Sequence, residues 1–526
     1  MITKIKNKYY ILLIILVFLI PTITGYITSN KIFSGMTTTT DGNTYLSFIN
    51  QVKEGRLLFT NMYTHEKFPS FIFRPTYLAA GFVDLATGLP NVFVYHLFRI
   101  LGILLFVYYL DKLITLFFKD TKHQKITFFI CVFASGIGFL FRLFTLFGIP
   151  RYDPIDLWVT DANNFTALLS HPHTIFSIAF MVASVYYFLV WHGNLQLKYL
   201  VFSSIFAFIL GFEHLFDVIT IYVVIGLFFL DYLLLNKKLE FIKIKHMMVF
   251  GIITIIPFIY TFIIFTFVPS FEAWNQQNVL ETPNFFYVVS GYGFMFLSFI
   301  LVVVNFIRGQ QKLKPNTKFI LYWIISVLIL VYSPLNIQRR FLEGLHIPFG
   351  IITGIFLFNS IFAFHKKSYI KNRMNPFAFT LILILLSMTN LYLLFNQITN
   401  LDNGRGNFPY HVNRYLYNEE KEGILWLSEN SQADEIIIST YNIGNYIPAY
   451  MNRRVYLGHW AQTMDFEAKS EIIKDFYSGK ISSIDINNPV YIWYGVDEKL
   501  INPYFNSPIG SRVVYQNSKV TIFKME

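Results

Sequence analysis

Apolar residues along this chain gather into long runs separated by short polar stretches. Runs near the ~20 residues that span a bilayer core lie at 9–28, 92–111, 126–147, 173–191, 199–213, 217–235, 248–268, 286–307, 318–334, 346–364 and 376–396. The pattern predicts about 11 transmembrane helices, with 199–235 read as one broken helix or a tight pair. After 397 the period changes. Residues 418–430 and 465–478 alternate as helices, while EIIIST at 435–440 and the stretches 454–458 and 490–495 read as strands. RVVYQNSKVTIFK at 512–524 reads as a hairpin turning at Asn517–Ser518. The expected fold class is an all-α polytopic membrane domain over 1–397, with a long first outer loop at 29–91, followed by a soluble α/β domain over 398–526.

Composition agrees. The 526 residues are 54% hydrophobic and 14% charged, against roughly 25% charged in soluble domains, and mean hydropathy is +0.48. That excludes a soluble globular enzyme and a disordered chain. The net charge of +11 does not point to nucleic acid, because the cations sit mostly in short loops between apolar runs. With a cytoplasmic N-terminus, twenty loop cations fall on the inner side and eight on the outer, an orientation signal. It places the 29–91 loop and the tail outside a cell membrane. The first run follows Lys4, Lys6 and Lys8 without an Ala-x-Ala site, so it reads as a retained helix. Cys131 is the only cysteine, which excludes an intrachain disulfide.

Chemistry in a membrane protein shows as polar residues concentrated on one side. Five outer stretches qualify. In TTTTDGNTYLSFINQVKEG, Asp41 precedes Tyr45, Phe48, Ile49 and Val52 at helical spacing. This predicts an amphipathic helix on the membrane surface with Asp41 near its start, as a catalytic acid or an N-cap. The rest of that loop supplies His65, Glu66, Lys67 and Arg74, with Arg99 in the next apolar run. The third stretch, RYDPIDLWVTDANNFTALLSHPHT, holds Asp153, Asp156, Asp161, His171 and His173, which could position a hydroxyl or ligate a divalent cation, without matching a dedicated metal motif. A fourth set, Glu213, His214 and Asp217 with Glu272 and Glu281, reads as ordinary loop polarity. In the fifth, QRRFLEGLHIP, Arg339 and Arg340 oppose the inside-positive bias, with Glu343 and His346 about one turn further on; bidentate contact with a phosphate would explain the arginines, or a structural salt bridge to Glu343.

These features resemble the GT-C superfamily of integral membrane glycosyltransferases, nearest the bacterial RgtA/B/C/D-like and dolichyl-phosphate-mannose mannosyltransferase-like proteins. The likeness rests on the architecture and on DGNTYLSFINQVKEGRLLFTNMYTHE, DLWVTDANNF, QRRFLEGLHIP and VYLGHWAQT. It implies a polyprenyl-phosphate-linked sugar donor, inverting transfer on the extracytoplasmic face to a glycan, lipid or protein acceptor, and in some members a divalent cation such as Mg or Mn. It carries a general-base role onto Asp41, with Asp161 or Asp156 as a second carboxylate, because Gly42 stands where many members have a second acid. Arg339, Arg340, Arg99 and Arg74 are the candidate donor-phosphate ligands. Glu66, His65, His173, His459 and Trp460 are the candidate sugar and acceptor contacts. Two other classes compete: a transporter or flippase of lipid-linked sugar, expected to show repeats or broken helices, and a surface-polysaccharide polymerase or ligase of another fold.

Overall fold

The computed structural model describes residues 8–28, 31–36, 38–236, 240–309, 313–358, 376–399, 412–486, 490–506 and 508–525. The expected run 346–364 is described only to 358, as the His346–Phe356 helix and the residues after it; its end lies outside the described residues. The chain packs as two compact units that interleave in sequence. One comprises Met1–Phe18, Arg99–Ile263 and Val279–Asn396; the other comprises Leu19–Phe98, Ile264–Asn278 and Gln397–Glu526. The first outer loop and a short later segment therefore pack with the tail, an association that a division at 397/398 does not describe.

The first unit is helical. Each of the eleven expected runs contains helix among the described residues. Among the described residues, four helices are long and apolar enough to cross a membrane alone: Asn91–Thr115, Pro172–Asn194, Leu215–Leu235 and Phe241–Phe267. Three bent pairs raise this to seven if each is one span: Thr121–Phe133 with Gly138–Thr145 (47°), Phe285–Tyr292 with Phe294–Ile307 (93°), and Thr380–Leu386 with Met388–Thr399 (60°). The 199–235 stretch is two helices, Leu197–Glu213 and Leu215–Asn236, separated at His214.

The three breaks support one another. A Cβ on Gly136 would stand 2.3 Å from the Gly291 carbonyl oxygen, so the first two breaks cross backbone to backbone. The Ile137 N–H donates to Ser290 O (3.0 Å) and the Ser135 N–H to Leu386 O (2.6 Å). Backbone groups freed by a broken helix need such partners where water is scarce. Asp156 completes the arrangement by accepting the Gly138 N–H at 3.2 Å.

The second unit holds an α/β/α layer around a five-stranded sheet. Its strands are β3 (Ile436–Ile438), β4 (Arg454–Val455), β5 (Val490–Tyr494), β6 (Ser511–Gln516) and β7 (Thr521–Met525), in the order β4-β3-β5-β7-β6. β3 runs parallel to β4 and β5, and the β6–β7 hairpin adds antiparallel to β5. Helices cover both faces, which is why β3 and β5 are unbroken apolar runs, III and VYIWY. Ile437, Tyr491 and Trp493 face the Asn418–Asn430 and Tyr441–Met451 helices. Ile436, Ile438, Ile492 and Tyr494 face the Phe466–Ser478 helix. A two-strand ladder, β1 (Ile32–Phe33) with β2 (Tyr415–Leu416), ties the first loop to the tail.

The Thr39–Lys53 helix corrects one expectation. It does not lie on a membrane surface: Tyr45, Phe48, Ile49 and Val52 are buried, as are Asn43, Thr44, Ser47 and Gln51 around the helix. Its polar positions satisfy protein partners instead, with the Gln51 side chain bonded to both the N–H and the C=O of Thr60. The helical period is real, but here it fits a helix enclosed by the Pro75–Thr87 and Tyr441–Met451 helices.

Gly444 sets how closely the Tyr441–Met451 helix can approach the chain at Leu457, since a Cβ there would lie 1.9 Å from the Leu457 carbonyl oxygen. Gly444→Ala is expected to lower the thermal midpoint of the purified protein by several degrees, a cost on the scale of core overpacking, ~1–3 kcal/mol. Gly226→Ala, with no atom within 4 Å of the new methyl, is expected to leave it nearly unchanged in the same melt.

Candidate functional site

In the second unit, Asp41 sits in the first turn of the Thr39–Lys53 helix. It is not the cap, because Thr38 holds that position and no side chain closes the end. The Asp41 Oδ1 is instead 2.7 Å from His459 Nε2. His459 is buried, and its Nδ1 accepts the Ala461 N–H at 3.1 Å. A nitrogen that accepts a backbone amide carries no proton, so the ring proton is assigned to Nε2 and is donated to Asp41. The Asp41 side chain is 49% exposed, which leaves the carboxylate open to a reactant.

The loop that presents His459 is tightly held. The Thr463 hydroxyl accepts the Gly458 N–H (3.0 Å) and donates to Tyr63 O (2.6 Å). Asn61 Nδ2 donates to Gln462 O at 2.7 Å, and Trp274 Nε1 donates to Ala461 O at 2.7 Å. Gln277 Nε2 donates to Thr463 O at 2.9 Å. Trp460, 36% exposed, stacks beside His459 with ring centroids 5.9 Å apart. Tyr446, in the Tyr441–Met451 helix, is wholly buried.

Glu66 and His65 stand in a different relation. Glu66 is paired with the buried Lys469 ammonium at 2.6 Å, and the Thr64 hydroxyl also donates to it. Burial alone would raise the Glu66 carboxyl, but Lys469 and Thr64 outweigh it and hold it below the usual range. His65 stacks on Tyr456 with centroids 5.0 Å apart; burial and the Lys469 charge hold its imidazole below the ordinary value. Arg74 has φ 58° and ψ 65° immediately before Pro75, a strained conformation for a side-chain-bearing residue. Its guanidinium lies 5.2 Å from the Tyr45 ring centroid.

The first unit gathers the other expected residues. Asp161 Oδ2 takes a 2.6 Å bond from Arg340 Nη1. Arg339 lies over the Trp158 ring at 5.1 Å. Arg99, buried, donates to the Phe18 and Leu169 carbonyls at 3.2 and 2.9 Å. Asp156 is 1% exposed beneath the helix breaks, and burial pushes its carboxyl up to about 7 despite bonds from Thr389 and the Gly138 and Gly136 amides. His173, also buried, meets His214 edge-on at 5.0 Å. His214 in turn bonds Glu343 (3.1 Å), with Asp217 3.8 Å away. His214, Asp217 and Glu343 were not legible as a group in sequence, since 129 positions separate His214 from Glu343.

For the divalent cation implied by the family resemblance, Gly42 leaves Asp41 without an adjacent second acid. A Cβ on Gly42 would stand 2.2 Å from Met36 Sδ, so a second acid there would have to displace Met36. Among the described residues, the cluster of three donors within metal reach is His214, Asp217 and Glu343.

No family model matches the sequence, and no curated protein matches it. Solved structures do. The chain is similar to the Archaeoglobus fulgidus oligosaccharyltransferase tethered with an acceptor peptide containing the NVT sequon: TM-score 0.54, 12% identity, 94% of this chain and 70% of that one. It is similar to ArnT from Cupriavidus metallidurans bound to undecaprenyl phosphate: TM-score 0.51, 11% identity, 98% of each chain. It is similar to the arabinofuranosyltransferase AftD from Mycobacteria: TM-score 0.51, 10% identity, 99% of this chain and 40% of that one. The chain shares the fold of these solved structures.

Two stability measurements follow. Glu66→Gln strands the buried Lys469 ammonium and is expected to cost about 2 kcal/mol, whereas Lys469→Met leaves a partly solvated carboxylate and costs less than about 1 kcal/mol. The wild-type contribution of Glu66 is complete above the ordinary carboxylate value of about 4.3. It is lost as pH falls through the depressed one. Asp156 has the opposite sign: its stabilisation is greatest below about pH 4 and declines as pH rises to about 7. In thermal melts across pH 4–8, Asp156→Asn is expected to flatten that decline and to match or exceed wild type at pH 8.

Proposed function

We propose that the chain is a membrane glycosyltransferase that moves a sugar from a polyprenyl-phosphate-linked donor to an acceptor on the extracytoplasmic face of the cell membrane. The observation that carries the reading is the Asp41–His459 pair: a half-exposed carboxylate aimed by a neutral, buried imidazole whose tautomer is set by a backbone amide. The fold supports it, and so does the chemistry named for its structural neighbours, one bound to undecaprenyl phosphate and another tethered to an acceptor peptide.

In the reaction, Asp41 takes the proton from the acceptor hydroxyl or amine. The acceptor atom forms a bond to the anomeric carbon of the sugar. The bond from that carbon to the phosphate oxygen breaks, and its electron pair leaves with the polyprenyl phosphate. His459 keeps its Nε2–H throughout and acts as a positioning residue. Arg339 stabilises the charge growing on the leaving phosphate, because its guanidinium rests on Trp158, whereas Arg340 is engaged by Asp161. Trp460 is the aromatic surface for the acceptor. No step requires a metal at Asp41.

The test is release of polyprenyl phosphate from a panel of polyprenyl-phosphate-linked hexoses by the protein in nanodiscs, read by mass spectrometry. Asp41→Asn is expected to lose 10²-fold or more, within the usual range for a general base, with an unchanged thermal melt. His459→Gln, which can still donate to Asp41, should retain more activity than His459→Ala. Arg339→Ala should raise KM for the lipid donor. Equal release by wild type and Asp41→Asn would move the base elsewhere, and movement of the lipid-linked sugar without any glycosidic product would favour a flippase.

A further inference from the structure

The break between the Leu197–Glu213 and Leu215–Asn236 helices leaves His214 and Asp217 pointing at a third residue from far along the chain. His214 Nδ1 lies 3.1 and 3.0 Å from the two oxygens of Glu343 and 3.8 Å from Asp217 Oδ2. One donor atom from each of the three lies within 4.8 Å of the others. Asp217 and Glu343 are wholly buried, and His214 is 5% exposed.

Charge does not balance here. Asp217 also feels the charges of Asp161 and Arg340, and Asp161 feels Arg339 as well, so three carboxylates, Asp161, Asp217 and Glu343, face two guanidiniums. Neither oxygen of Asp217 receives a hydrogen bond. The carboxyl of Glu343 could bond to it only by carrying a proton. A buried carboxylate without a donor is costly unless it is neutralised or coordinates a cation.

We propose that His214, Asp217 and Glu343 bind a divalent transition-metal ion, Zn²⁺ or Mn²⁺. One imidazole nitrogen with two carboxylate oxygens suits these ions better than Ca²⁺ or Mg²⁺, which favour all-oxygen shells. Binding displaces the proton at His214 Nδ1, so that the nitrogen becomes an acceptor. The ion supplies positive charge to a cluster in which carboxylates outnumber guanidiniums. Glu343 is three residues beyond Arg340, at the end of the Gln338–Leu342 turn, so the ion also fixes the turn that carries both arginines. The site lies within the first unit and does not rest on Asp41 being the base.

The experiment uses the full chain in nanodiscs with any affinity tag removed. Metal content is read by mass spectrometry of the dialysed protein. A chelator-stripped sample is then titrated with Zn²⁺, Mn²⁺ or Mg²⁺ while its thermal unfolding is followed. About one Zn²⁺ or Mn²⁺ per chain is expected. The midpoint should fall on chelation and recover with one of those ions but not with Mg²⁺. Asp217→Asn and Glu343→Gln should weaken binding by about tenfold or more, whereas Asp41→Asn should bind as wild type does while losing transfer. The wild-type titration stands even if a variant fails to fold. No bound metal together with no shift from Zn²⁺ or Mn²⁺ would overturn the proposal in favour of a proton shared by Asp217 and Glu343. Undiminished binding by both folded variants would overturn it equally.

Discussion

A buried imidazole with one nitrogen committed to a backbone amide can use its other nitrogen only to donate. His459 is in that position, and the organisation of the second unit follows from holding it there. The Gly458–Thr463 loop must be rigid for the Ala461 N–H to reach Nδ1, and it is fixed from three directions: by Asn61 and Tyr63 of the first loop, by Trp274 and Gln277, and by its own Thr463 hydroxyl. Three stretches far apart in sequence therefore pack as one body. The reward is a carboxylate whose orientation is set before any reactant arrives, which is what electrostatic preorganisation requires.

Much of this architecture was legible in the sequence. The apolar runs gave helices, and the tail gave its strands, its Phe466–Ser478 helix and its hairpin, whose turn closes with the Asn517 N–H on Val520 O. The Tyr441–Met451 helix was not legible, because YNIGNYIPAYM holds a Gly, a Pro and two Asn. It forms because Ile443, Tyr446, Ile447 and Met451 bury one face against the sheet, and packing overrides propensity. The helix breaks were equally hidden. Gly136 and Gly291 look like ordinary membrane glycines until the backbone of one element is seen against the other. Broken helices were expected of a transporter; here they meet around Asp156, which accepts a freed amide.

Site residues divided along a similar line. Asp41 and His459 were both singled out, but their pairing across 418 positions was not. Glu66 had the right chemistry for a sugar contact, yet it is the counterion that makes a buried Lys469 tolerable. Arg99 had the look of an anion ligand in an apolar run, and two of its bonds go to backbone carbonyls. A sequence shows which side chains are chemically capable. It does not show which of them are already spent on neighbours.

The Gly42 position shows how a departure from a family pattern can be a packing consequence. Where the resemblance implies a second acid, this chain has a glycine whose missing Cβ space is filled by Met36, 2% exposed. A carboxylate there would be pressed against a thioether in a closed interior. A second acid there would have to displace Met36. The same logic separates the adjacent arginines. Arg340 is neutralised by Asp161, whereas Arg339 keeps its charge beside an aromatic ring, where burial and its neighbour Arg340 already lower the affinity of its guanidinium for its proton. The two adjacent arginines are thus in different surroundings, one paired with a carboxylate and the other lying over an aromatic ring.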